Sequence, residues 1–166
     1  MSSSSPVAPK VLEQPGVPGA TKVLHIAKAK SALTFAQIAE KIGRNELWVA
    51  ALFYGQAKPD PEDLAKLSEV LNVPVAELEG DFGEHFFPDR GGLSSMPPRD
   101  PVLYRFYEAV AVYGYPMKHI IHEKFGDGIM SAIDFKGSVE RVPDPKGDRV
   151  VITWNGKFLP FARPTS

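Results

Sequence analysis

The sequence predicts a mainly α protein with a small β part, an α+β chain divided into two domains. Three observations support this prediction. Apolar residues recur at helical spacing over residues 21–80, and residues 81–99 are rich in proline and glycine and show no period. After Asp100 the chain shows helical signals and then two alternating runs typical of strands. We therefore expect an N-terminal helical domain at 21–80, a linker at 81–99 and a C-terminal α+β domain at 100–166.

The composition is that of a globular chain, with 43% hydrophobic and 23% charged residues. Lys and Arg number 19 and Asp and Glu number 20, whereas partners such as nucleic acid or an anionic membrane usually demand an excess of cations. The absence of cysteine excludes disulfides, thiolate nucleophiles and Cys-ligated zinc. No segment reaches the roughly 18–20 consecutive apolar residues of a membrane helix. We expect a cytoplasmic protein with no nucleic-acid partner and no membrane partner.

The first twenty residues are rich in serine and proline. They lack the basic start and apolar centre of a secretory signal, and they contain no arginine, which disfavours a mitochondrial presequence. Such a composition is typical of disorder. We therefore expect residues 1–20 to form a disordered leader.

Residues 33–55 have the form of a helix-turn-helix, with Gly43 at the turn and Asn45 as the cap of the second helix. This pattern raises the alternative that the chain is a DNA-binding regulator without enzyme activity. However, no Lys or Arg lies between Arg44 and Lys58, so the would-be recognition helix cannot neutralise several phosphates. The favoured interpretation is a packing module. Its large apolar residues would be core or subunit contacts: Trp48, Leu52 and Phe53.

The C-terminal domain begins with a strong helix start, in which Asp100 is the N-cap and Pro101 the first helical residue. The pattern predicts that this helix ends at Gly114 and that a second helix covers residues 116–125. Strands are predicted at 137–142 and 149–154, with a turn between them and a further hairpin turn at Asn155-Gly156. So small a ribbon needs helices or a partner subunit to cover its apolar face.

Arg105 and Glu108 lie three residues apart on the first of these helices and share one side of it. A solvated surface ion pair would be the ordinary interpretation. No other charged residue lies between Asp100 and Lys118, however, and a helix that is apolar almost all round is usually buried. Since a buried charge is costly unless it binds something, the pair favours a site or a specific interface.

The C-terminal domain contains two further candidate sites. His119 and His122, with Glu123 beside them, could suggest a metal, but the zincin spacing is absent and no Cys or clustered Asp adds ligands. Ser131 lies in an apolar run after Gly126-Asp127-Gly128. No His–Asp pair at a recognisable spacing marks it as an activated nucleophile. A buried structural hydroxyl and a donor to an anion both remain open for Ser131.

Three stretches of the chain together resemble the cyanase family, also called cyanate hydratase or cyanate lyase. They are Tyr104-Arg-Phe-Tyr-Glu, the run from His122 to Phe135, and the run from Val151 to Pro160. The similarity covers about residues 21–160 and is most specific in the C-terminal part. It implies a helical domain similar to the phage-repressor helix-turn-helix domain but used for subunit packing. It also implies a C-terminal dimerisation and catalytic domain with intertwined strands.

The resemblance further implies a lyase that acts on two small anions. Bicarbonate, as co-substrate, attacks cyanate; the product loses carbon dioxide to give carbamate, which decomposes to ammonia and carbon dioxide. The family's catalytic residues fall on Arg105, Glu108 and Ser131, with no metal or other cofactor, and the family assembles as a homodecamer of five dimers. In our hypothesis Arg105 holds the anions, Ser131 donates to an anionic oxygen, and Glu108 orients Arg105 or handles a proton.

Overall fold

The computed structural model describes residues 8–93 and 95–162, which form two compact units that divide after Leu93. The first unit is helical, and the second contains one long helix and a two-stranded antiparallel sheet. This architecture confirms the predicted α+β class. The division falls inside the segment predicted as the linker.

The described part of the helical unit contains five α-helices, and three of them are started by residues whose side chains bind free backbone N–H groups. Thr34 and Asp60 both form capping boxes, and Gly43 ends its helix with a positive φ of 74°. The helices are α1 (Gly19–Ser31), α2 (Phe35–Ile42), α3 (Glu46–Phe53), α4 (Pro61–Leu71) and α5 (Val75–Phe82). The predicted helix-turn-helix corresponds to α2 and α3.

The core of this unit lies between the apolar faces of all five helices. Leu52 and Phe53 are fully buried in it, and Trp48 is partly buried against it. Of the two interpretations left open for these residues, the structure therefore supports the core for Leu52 and Phe53. A charge at Phe53 would disrupt this unit itself rather than a contact between subunits.

The predicted leader differs from the structure. Residues 1–7 lie outside the described residues, but Lys10–Glu13 form a short 3-10 helix and Leu12 is only 2% exposed. The helix α1 already begins at Gly19, and the Ala20 N–H donates to Asp81 Oδ2 at 2.6 Å. The expectation of disorder is therefore wrong for residues 10–20, because one buried leucine and these tertiary hydrogen bonds order a segment whose composition favours disorder.

The first part of the predicted linker is also ordered. The helix α5 continues to Phe82, which is 1% exposed. Beyond it, Lys58 Nζ donates to the Glu84 carbonyl at 2.7 Å, and the Gln56 side chain binds the backbone of Asp89 and Gly91. These bonds hold residues 84–91 against the helical unit.

The second unit begins with a single helix, α6 (Pro101–Phe125), whose start is capped by Asp100 as predicted. The predicted end at Gly114 is wrong, because the helix continues through Pro116. A proline inside a helix removes one backbone hydrogen bond, here to the carbonyl four residues earlier. Met117 and Lys118, which follow the proline, are good helix formers, and the helix continues to Phe125.

The strands β1 (Gly128–Val142) and β2 (Arg149–Pro160) pair antiparallel around a turn at residues 143–148. The first strand is longer than predicted, and the predicted turn at Asn155-Gly156 is wrong. Both residues lie within β2, where Asn155 pairs with Lys136 and Gly156 with Phe135. The glycine serves a close approach of two backbones instead of a turn.

Much apolar surface of the second unit is uncovered. The helix α6 has no buried residue along its length. Its exposed apolar residues include Val102, Leu103, Tyr104, Phe106, Tyr107, Val110, Val112, Tyr113, Met117 and Ile120. Among the described residues, none of the helices combines the length and apolar character needed to cross a bilayer. An exposed apolar surface of this extent is typical of an interface.

Candidate active site

The Arg105–Glu108 pair is formed as the spacing predicts. Both side chains project from the same side of α6, and Arg105 Nη1 donates to Glu108 Oε2 at 2.7 Å. This hydrogen bond and the negative charge of Glu108 raise the pKa of Arg105 above its ordinary value. The side chains are 70% and 49% exposed, so none of the described residues buries the pair.

Most of the Arg105 guanidinium is open. One of its N–H groups is used by Glu108, and the Tyr104 ring lies beside it with its centroid 6.0 Å from Cζ. Within residues 8–93 and 95–162 no other hydrogen-bond acceptor is found for it. A guanidinium presents several donors in a planar fork that matches carboxylate-like anions. The structure therefore presents an oriented cation with donors to spare.

Ser131 occupies a different environment. It lies in β1, is only 3% exposed, and its Oγ accepts the backbone N–H groups of Ile133 and Asp134 at 3.0 Å each. Both contacts use the oxygen as acceptor, so the hydroxyl hydrogen is the part of the group that is left to donate. Ser131 thus has a structural role in the chain and keeps a donor for a ligand.

The single chain does not bring Ser131 to Arg105. The helix α6 extends about 30 Å from Arg105 to its last residue, Phe125. The six residues from Phe125 to Ser131 span at most about 20 Å when fully extended, so even a chain turning straight back would leave about 10 Å between the α-carbons. Since α6 has no buried residue, β1 does not fold back over it. Arg105 and Glu108 form one cluster and Ser131 forms another.

The histidines of α6 do not gather further metal ligands. His119 is exposed and His122 half-buried. In the part of the chain that the structure describes, no three side chains of the His, Cys, Asp and Glu types come close enough to hold a metal ion. Both histidines lie on the surface of α6.

Arg44, the arginine just before the second helix of the helix-turn-helix, is paired with two carboxylates of the same unit. Arg44 Nε lies 2.6 Å from Asp63 Oδ1, and Arg44 Nη2 lies 2.8 Å from Asp60 Oδ2. Its guanidinium also lies over the Trp48 ring, 5.4 Å from the centroid. The hydrogen bond that Arg44 donates to the Asp63 carboxylate is the main reason why the pKa of Arg44 is raised. This arginine is therefore paired with carboxylates and not available to phosphates.

Sequence reasoning missed the irregularity of β1 around Ser131. The strand signals were assigned only from residue 137 onward, whereas the structure pairs β1 from Gly128, with a shift of register between Met130 and Phe135. The only available signal was the lack of strict alternation between residues 129 and 135. That signal indicates irregular structure but not a bulge within a strand.

Comparison with known proteins gives one consistent result. The family model described as "Cyanate lyase C-terminal domain" matches residues 95–163. A cyanate hydratase of Mycosarcoma maydis is 57% identical over 98% of this chain and 99% of its own length. One of Coprinopsis cinerea is 57% identical over 90% of this chain and 98% of its own.

A solved structure agrees with the sequence relatives. The crystal structure of cyanase from T. urticae superposes with a TM-score of 0.73 at 33% identity, covering 87% of this chain and 99% of that one. The similarity therefore extends over both units of the chain. On the identity and coverage of these relatives, the chain belongs to the cyanase family.

Proposed function

We propose that this protein is a cyanate hydratase that decomposes cyanate with bicarbonate. The observation that carries the proposal is the open, oriented Arg105 guanidinium on α6. Two monoanions brought to about 4 Å repel each other by about 1 kcal/mol in water and about 4 kcal/mol at an effective dielectric constant of 20. A fixed cation with unused donors can hold both anions and stabilise the dianion that they form.

The reaction requires no group that the chain lacks. A bicarbonate oxygen bonds to the carbon of cyanate while the cyanate nitrogen takes the bicarbonate proton, which gives a dianion. The C–O bond to the former bicarbonate carbon then breaks and releases carbon dioxide while the nitrogen takes a second proton, leaving carbamate. Protonation of carbamate gives ammonia and a second carbon dioxide, so two protons are consumed overall. Holding the two reactants in line can contribute about 7–11 kcal/mol to lowering the barrier.

We assign Ser131 the role of a donor to an anionic oxygen. Its Oγ already accepts two backbone N–H groups, which fix the position of the oxygen and leave its hydrogen for the substrate. Removal of one such donor elsewhere lowers rates by about 10²–10³-fold. Glu108 orients Arg105 through the 2.7 Å hydrogen bond. A proton-transfer role for Glu108 would appear as a change in the pH profile of Glu108→Gln.

We further propose that the site forms between subunits of a homodecamer of five dimers. Two observations support assembly. The apolar residues of α6 are exposed in the single chain, and Arg105 lies near the start of α6, whereas Ser131 lies in β1 beyond its end. Neighbouring subunits that cover α6 would bury its apolar residues and bring Ser131 of one chain to Arg105 of another. A cytoplasmic location remains a prediction from the sequence.

The test is ammonia release from cyanate with and without added bicarbonate. We expect release only with bicarbonate in the parent chain, and a large loss in Arg105→Lys, which keeps the charge but loses the fork. Arg141→Lys is the matched control, because Arg141 is also an exposed arginine paired with one acid, Asp148. Near-normal turnover in Arg105→Lys with the assembly intact would contradict the anion-binding role.

Assembly is tested by light scattering coupled to size exclusion, with ammonia release measured on each peak. We expect activity to follow the fraction of assembled decamer as the protein is diluted. A fully active dimer peak would contradict a site shared between dimers.

A further inference from the structure

The β1–β2 hairpin contains a bulge at Ser131. Met130 pairs with Phe158, and the next pair is Phe135 with Gly156. The four residues 131–134 of β1 therefore lie opposite the single residue Lys157 of β2. The bulge presents Ile133 to solvent at 98% exposure while it buries Ser131, and the two hydrogen bonds to Ser131 Oγ close it.

Gly156 lies directly against this bulge. A Cβ atom at Gly156 would lie 2.2 Å from the carbonyl oxygen of Ser131 and 2.7 Å from Met130 Cγ. The obstacle at 2.2 Å is backbone, so it cannot rotate away as a flexible side chain would. The φ angle of Gly156 is not positive, in contrast to that of Gly147 in the turn. Glycine is therefore required at position 156 for space and not for backbone conformation.

We propose that Gly156 is a positioning residue for Ser131. Because Gly156 has no side chain, Ser131 can lie in the bulge at the place needed for catalysis. This inference rests on the proposed function of Ser131. Any side chain at Gly156 must displace the Ser131 backbone by about 1 Å to reach an ordinary contact distance. A misplacement of about 1 Å in a catalytic group can lower the rate by about 10²-fold.

Gly156 differs from other glycines in the group that its Cβ would meet. Gly128 is equally crowded, but its Cβ would meet the Leu159 carbonyl and the Phe158 ring instead of Ser131. Gly80 in α5 has open space around its Cβ position. Gly80→Ala is therefore the control for the mere addition of a methyl group. The effect of Gly156 should depend on the presence of the Ser131 hydroxyl.

The first test is a double-mutant cycle with cyanate as substrate and bicarbonate in excess. We expect Gly156→Ala to lower kcat by about 10²-fold with a smaller change in KM, and with the assembly state unchanged. In the Ser131→Ala background the same substitution should lower kcat by no more than about twofold, since the two residues act as a unit. Gly80→Ala should match the parent.

Two results would overturn this inference. They are a Gly156→Ala enzyme within a few-fold of the parent, or an undiminished loss in the Ser131→Ala background. An inactive parent chain would instead contradict the proposed function. An impaired Ser131→Ala together with an unimpaired Gly156→Ala would contradict the role of Gly156 alone.

A second measurement tests the inference even if the Gly156→Ala chain assembles poorly by itself. The Gly156→Ala chain is coexpressed with the Arg105→Lys chain, and separately with the Ser131→Ala chain, and doubly tagged hybrids are purified. If Gly156 acts through Ser131, the first hybrid should recover as much activity as a hybrid of Ser131→Ala with Arg105→Lys, and the second should recover none. Recovery in the hybrid with Ser131→Ala would overturn the inference.

Discussion

Mixing two inactive variants, Arg105→Lys and Ser131→Ala, should restore activity. The reason is geometric. About 30 Å of helix separates Arg105 from the end of α6, and β1, which carries Ser131, does not fold back over that helix. A site that contains both residues must therefore take them from different chains. A hybrid assembly then contains some sites with an intact Arg105 from one variant and an intact Ser131 from the other.

The size of the recovery follows from this geometry. In a hybrid with equal amounts of the two chains, each site draws its Arg105 and its Ser131 independently. About one quarter of the sites then contain both native residues, so the expected activity is about one quarter of the parent's. Sites built from one chain would recover nothing, since every chain carries one of the two defects.

The assay uses two affinity tags. The variants are coexpressed with different tags, purified over both in succession, and tested for ammonia release from cyanate in the presence of bicarbonate. The chain ratio is measured by mass spectrometry, because the expected recovery depends on it. Each variant coexpressed with a differently tagged copy of itself is the control.

Two outcomes would refute the reasoning. A doubly tagged hybrid no more active than the separate variants would show that one chain supplies both residues. A recovery close to that of the parent would show that hybrid sites lacking one of the two native residues are still active. The first result would require Ser131 to be placed differently relative to Arg105, and the second would contradict the role assigned to one of the two residues.

Three further predictions concern stability. Deleting the first thirteen residues should lower the free energy of unfolding by about 2 kcal/mol, because Leu12 is 2% exposed. Urea unfolding of the full and the shortened chain measures this difference, and equal stability would support a disordered leader. Phe53→Ala should destabilise the helical unit by about 3–5 kcal/mol because Phe53 is fully buried, whereas Phe87→Ala, at 76% exposure, should have little effect in the same urea experiment. The pKa of Asp60 is lowered, mainly by the hydrogen bond from the Asp63 N–H. Its stabilisation is therefore fully present above the ordinary aspartate range and is lost as the pH falls through the lowered pKa of the folded state. Asp60→Asn should weaken the acid dependence of urea unfolding, and an unchanged dependence would contradict this assignment.

Local sequence signals were sufficient where the controlling interactions are local. Asn45 and Asp100, the two caps predicted from the sequence, have the residue types whose side chains accept the first free N–H groups of a helix, and the structure shows both of these starts. Helical spacing likewise identified the bundle. The i, i+3 spacing of Arg105 and Glu108 was enough to place them on one side of α6, since a helix fixes that geometry by itself.

Signals from single residues failed at three places. Gly114 and Pro116 indicated a helix end, but α6 continues through both, although none of its residues is buried. The Asn155-Gly156 pair indicated a hairpin turn, but Gly156 leaves the space that the Ser131 carbonyl occupies across the sheet. The serine- and proline-rich leader indicated disorder, but Leu12 is buried and the Ala20 N–H donates to Asp81. In the last two cases a tertiary contact outweighs a local preference of about 1–3 kcal/mol.

By itself the sequence determined the fold class, the resemblance to the cyanase family, and the three residues proposed to act on cyanate. Only the tertiary structure decided how those residues are distributed, with an open Arg105–Glu108 pair on an uncovered helix and Ser131 held in a bulge against Gly156. The cause is the separation along the chain between the residues that interact. Caps and helix faces depend on residues within four positions of one another, whereas the bulge depends on the packing of β1 against β2, and the partners on either side of the bulge are more than twenty residues apart in the chain.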